Sequence, residues 1–113
     1  MFDWKETIQN INIRLKELST RTPDTLRGSA LLAGAGAKTN HLSAKTRELI
    51  ALTVAVTTRC DGCIAMHAAE AVKLGVSNEE MAEALGVAIN LNAGAAMVYS
   101  THVLDAMDKL KQA

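Results

Sequence analysis

Apolar residues recur every three to four positions along most of this chain, so it reads as a succession of helices. From Asp3 to about Thr20, Trp4, Ile8, Ile11, Leu15 and Leu18 share one side. Lys5, Glu6, Arg14, Lys16 and Glu17 occupy the other, as on a solvated helix face. Thr22-Pro23-Asp24 ends that segment and opens the next, because proline already has the φ of a first helical turn. A second helix is expected from about Asp24 to Ala33. It should fade at Gly34-Ala35-Gly36 into a loop spanning Ala37 to Leu42. Ser43 has the chemistry of an N-cap. Ala44 to Thr58 is apolar on nearly every side after Glu48, the pattern of a buried helix; Val54, Val56 and Thr57 are equally compatible with a strand. Asp61 to Leu74 predicts another helix, stopped by Gly75. Ser77-Asn78-Glu79-Glu80 is a capping box for a helix running to about Leu91. A break is expected at Asn92 to Gly94, then a last helix from Ala95 to about Lys111. The expectation is an all-α fold, one domain over residues 1–113 with about six helices.

Composition changes this picture in one respect. The chain has 113 residues, 49% of them apolar but only 3% aromatic, and alanine supplies much of the difference. Alanine buries little area per residue, so a lone core would be thin, and the subunit is expected to complete its core by oligomerising. Lys plus Arg and Asp plus Glu number twelve each, so no charge excess points to nucleic acid or an anionic membrane. Met1-Phe2-Asp3-Trp4-Lys5 lacks the pattern of a signal peptide. No uncharged apolar segment is expected to be long enough to cross a bilayer; the longest is read as Leu49 to Val56, which falls far short. A cytoplasmic location is the resulting expectation. Gly34 to Thr39 is not a phosphate loop, because Ala37 and Leu32 stand where that loop needs glycine.

The candidate chemistry is concentrated in Cys60-Asp61-Gly62-Cys63, which holds the only two cysteines, and in His67. In a reducing compartment such a pair is catalytic or metal-binding rather than a permanent staple. On a helix, positions 60, 63 and 67 fall within roughly 60° of arc, at ~100° per residue. Cys60 stands at the helix start, where free N–H groups favour a thiolate; Cys63 lies one turn from His67, which can take its proton. The dipole favours Cys60 as the attacking thiol and proximity to His67 favours Cys63. If the helices on either side of Arg59 fold back antiparallel, Glu48 comes within about a turn of His67 and can orient its ring. Taken singly, Glu48 could also be a first-turn carboxylate paired with Lys45 or Arg47. His41 and His102 have no partner at telling spacing.

Leu42-Ser43-Ala44-Lys45-Thr46-Arg47-Glu48-Leu49-Ile50-Ala51-Leu52, followed by Cys60-x-x-Cys63-x-x-x-His67, resembles the alkylhydroperoxidase D-like group of the carboxymuconolactone decarboxylase family. The resemblance implies an all-α fold with Val54 to Val56 helical. It implies that Glu48, Cys60, Cys63 and His67 form a proton-relay site, whose thiols reduce a hydroperoxide or a disulfide and end as a disulfide. An external dithiol donor would reset them, with no bound cofactor. It also implies a homo-oligomer, trimeric or hexameric. Two departures stand out: Gly62 replaces a histidine that the founding peroxidases carry before the second cysteine, and the chain is shorter than theirs. The decarboxylases characteristically lack this cysteine pair. Two other classes remain: a lyase or isomerase acting on a lactone or keto-acid through Glu48 and His67, and a non-catalytic redox-sensing or zinc-binding oligomeric module.

Overall fold

A computed structural model describes residues 1–112 as five helices without strands: α1 (Trp4–Arg21), α2 (Pro23–Thr39), α3 (Ala44–Thr57), α4 (Asp61–Lys73) and α5 (Asn78–Lys111). Helix starts follow the capping chemistry of the sequence. The Asp3 carboxylate accepts the Glu6 N–H, the Ser43 hydroxyl the Thr46 N–H, and Ser77 with Glu80 closes a capping box. Pro23 opens α2.

Two expected breaks do not occur. α2 continues through Gly34 and Gly36 to a left-handed C-cap at Asn40, whose φ is 52°. Gly36 serves close approach rather than flexibility, because a Cβ there would lie 2.8 Å from Cδ of Arg47. α5 runs unbroken through Asn92 and Gly94. The Asn92 amide donates to the Ala88 carbonyl at 2.8 Å and to the Thr57 hydroxyl at 2.9 Å. It thereby ties α5 to α3 instead of competing with the helix for backbone partners. The fold thus has five helices rather than six, and the Val54–Val56 segment is helical.

The tightest packing is along α3 and α4, whose seam holds the buried residues Leu52, Ala55, Ala65 and Ala71. α1 packs on α4 and α2, and α5 on α3. The subunit is far from compact: its radius of gyration is 18.9 Å, against roughly 13 Å for a compact chain of this length. Its accessible surface of 8929 Å² exceeds by about half the roughly 6,000 Å² of a folded monomer of this mass. The stretch of α5 between Glu83 and Asp105 has no Asp, Glu, Lys or Arg and is longer than the Leu49–Val56 run. By length and composition α5 is the one helix among the described residues that could cross a bilayer. It is also almost wholly exposed within the subunit.

Candidate functional site

The turn between α3 and α4 carries the two cysteines into place. The Arg59 N–H bonds to the Val56 carbonyl and the Cys60 N–H to the Ala55 carbonyl, at 3.2 and 3.0 Å, a Schellman ending for α3. Arg59 holds the left-handed position with φ of 53°, where glycine is the usual occupant and an L side chain costs roughly 1 kcal/mol. Cys60 follows in extended conformation and caps α4, its Sγ accepting the Cys63 N–H at 3.2 Å. Cys60 and Cys63 are joined as a disulfide with Cα atoms 5.2 Å apart. Cys60 is half-buried and Cys63 exposed.

His67 lies one turn along α4, on the cysteine face. Its Nδ1 is 2.7 Å from Oε2 of Glu48 on α3. Glu48 is 16% exposed and His67 44%, so the carboxylate stays largely out of water while the ring reaches it. The alternative partners of Glu48 are engaged elsewhere. Lys45 pairs with Glu80 at 3.1 Å, and Arg47 turns to the end of α2, where Nη1 donates to the Leu42 carbonyl at 2.6 Å. With the carboxylate accepting the Nδ1 proton, Nε2 keeps its lone pair and can act as a base.

Both sulfurs, Glu48 and His67 line one cavity of about 510 Å³. Its remaining walls are mostly apolar, with Ile11 and Leu15 from α1, Ala33 from α2 and Met66 from α4. A smaller hollow of about 330 Å³ lies on the α3 side of Cys63 and His67, against Ala51, Val54 and Ala55. The structure therefore brings Glu48, Cys60, Cys63 and His67 together. His41 and His102 line neither hollow, and His102 stacks on Tyr99 at 4.5 Å in α5.

Sequence reasoning missed the part played by α1. Ile11 belongs to the apolar stripe of α1, but nothing in the stripe says what it faces. It faces the cysteine turn: a Cβ at Gly62 would sit 2.7 Å from Cδ1 of Ile11. The glycine between the cysteines thus lies against Ile11, whose terminal methyl would have to shift to admit a side chain there.

Relatives agree with this architecture. An uncharacterized protein of Haemophilus influenzae is 53% identical over 104 residues, 92% of each chain. An uncharacterized protein of Cupriavidus necator is 28% identical over 96% of both chains. The apo crystal structure of a carboxymuconolactone decarboxylase family protein from Legionella pneumophila superposes with a TM-score of 0.74 at 33% identity. That match covers 94% of this chain and 95% of the other. The model of the carboxymuconolactone decarboxylase family matches residues 23–106. With α2 to α5 all within or overlapping that match, the chain belongs to the carboxymuconolactone decarboxylase family, which includes the alkylhydroperoxidase D-like proteins.

Proposed function

We propose that this protein is a thiol-dependent oxidoreductase of the alkylhydroperoxidase D type, reducing hydroperoxides or disulfides through a Cys60/Cys63 dithiol–disulfide cycle. The observation that carries this reading is the shared cavity: a closed Cys60–Cys63 bridge beside a His67–Glu48 pair at 2.7 Å. In the reduced protein Cys63, the exposed thiol, is the attacking group. His67, oriented by Glu48, takes its proton. The thiolate attacks the O–O bond of R–OOH, leaving Cys63 as a sulfenic acid, and the departing alkoxide receives the proton from His67 as R–OH. The Cys60 thiol displaces hydroxide from that sulfenic sulfur, so water leaves and the disulfide forms. A second dithiol, from an external donor, returns both sulfurs to thiols by exchange. The thiols themselves carry the two electrons, so the cycle requires no bound cofactor.

The same reading includes a homo-oligomer, trimer or hexamer, in the cytoplasm. The excess surface and the unpacked length of α5 support the assembly. The test is a thiol titration of the reduced protein before and after one equivalent of an organic hydroperoxide, with the bridge located by mass spectrometry. Loss of two thiols into an intrachain link, and loss of turnover in both Cys60→Ser and Cys63→Ser, are the expected results. Turnover that survives alkylation of both cysteines would assign the site instead to acid–base chemistry by Glu48 and His67.

A further inference from the structure

We infer that α1 roofs the dithiol site and that Ile11 is a specificity-determining residue, setting how bulky a reactant can be and still reach the sulfurs. The inference rests on the thiol reading of the site. It starts from three observations. α1 lies ahead of residues 23–106, the stretch that the family model matches. It nevertheless supplies Ile11 and Leu15 to the cavity that holds both sulfurs, Glu48 and His67. Ile11 also interlocks with the cysteine turn: its Cδ1 lies 2.7 Å, and its Cγ1 3.8 Å, from where a Cβ of residue 62 would be.

The consequence is steric. Gly62 stands between the two bridged cysteines, and Ile11 packs beside it while lining the same cavity as both of them. A reactant that occupies this cavity at either cysteine shares it with Ile11. A branched apolar group at this point admits slender molecules and obstructs those broad at the reacting atom. None of the α1 side chains is fully buried, so this roof is held by partial contacts and can be altered without removing the α3–α4 core.

Reduced protein is treated with two alkylating agents, slender iodoacetamide and bulky N-phenylmaleimide, and separately with hydrogen peroxide and cumene hydroperoxide. Rate constants are measured for wild type, Ile11→Ala, Ile11→Val and Ile13→Ala. Ile13 stands on the same helix, 63% exposed and outside the cavity lining, and serves as control. The expected result is a bulky-to-slender rate ratio that rises about tenfold in Ile11→Ala, the scale set by removing carbons from an apolar wall. Ile11→Val should give a smaller rise and Ile13→Ala none. Gly62→Ala should slow both reagents, and Ile11→Ala/Gly62→Ala should recover the loss, because trimming Ile11 clears the added methyl. An unchanged ratio in folded Ile11→Ala and Ile11→Val overturns the inference, as does an equal rise with both reagents or the same rise in Ile13→Ala. Alkylation needs no enzymatic turnover. If wild type alkylates but fails to reduce either peroxide, the peroxidase reading fails while the ratio still decides the role of Ile11.

Discussion

Glu48 and His67 meet across the seam of α3 and α4, Oε2 to Nδ1 at 2.7 Å, each supplied by a different helix. The pair exists because the two cations beside Glu48 in sequence are committed elsewhere, Lys45 to Glu80 and Arg47 to the end of α2. Glu48→Gln retains the shape but removes the charge that holds the ring. Oxidation of the reduced dithiol by an organic hydroperoxide should slow by about 100-fold, the lower range for a positioned acid–base group. The circular dichroism and melting curve should remain close to wild type. A rate within twofold of wild type would remove Glu48 from the relay.

Arg47 should matter for stability rather than rate. Its Nη1 donates to the Leu42 carbonyl at 2.6 Å and the Asn40 side chain at 3.3 Å, and its Cδ rests against Gly36. These bonds fix the return of the chain from α2 into α3. Arg47→Ala is expected to cost about 1 kcal/mol, the net value of a hydrogen bond whose acceptors are exposed. Arg47→Lys should recover only part of it, since an ammonium cannot reproduce the guanidinium fork. Denaturant melts of the reduced protein measure both.

The fate of these helices shows what was legible from the sequence. Caps are local: Asp3, Ser43 and Ser77 mark the starts of α1, α3 and α5 with side chains that accept a backbone N–H three residues away, and Pro23 opens α2 through its fixed φ. The cysteine–histidine face is local too, being a matter of helical spacing, and a short turn was enough to bring Glu48 near it. Gly36 and Asn92 are different. Each resembles a breaker when considered alone, and each is retained inside a helix by a partner distant in sequence, Arg47 for one and Thr57 for the other. The meeting of Ile11 with Gly62 has the same character. It joins residues on α1 and α4, and no spacing rule within either helix encodes it.

Glu80 gives the protein a pH dependence of defined sign. Its carboxyl lies below the ordinary carboxylate value, first because the Ser77 N–H bonds to its charged form, then because Lys45 and the Ser77 hydroxyl do. A group with a depressed folded-state value contributes fully above the unfolded carboxylate range, and the contribution fades as pH falls through the folded value. Glu80→Gln should therefore melt lower than wild type at neutral pH, and the two melting temperatures should converge on acidification. Parallel curves down to strongly acidic pH would show that the capping box does not depend on the charge.

The outer length of α5 is where assembly should be tested. Met97, Val98, Tyr99 and Leu104 are 69%, 71%, 71% and 65% exposed, so the second half of the helix presents apolar side chains to no neighbour within the subunit. The surface beyond that of a compact monomer, on the order of 3,000 Å², exceeds what a standard-size interface takes from one partner, about 800 Å². An interface covering that surface would be of obligate size and apolar in kind, as the proposed trimer or hexamer requires. Light scattering should give a multiple of 12.0 kDa at low micromolar concentration. Val98→Glu and Leu104→Glu place charges in the proposed contact, and each should lower both the mass and the melting temperature. Lys109→Glu serves as a control, because its ammonium lies with Asp105 on the exposed end of the same helix and forms only a surface pair. A wild-type mass of one subunit, with melting insensitive to Val98→Glu and Leu104→Glu, would mean that α5 remains uncovered in solution.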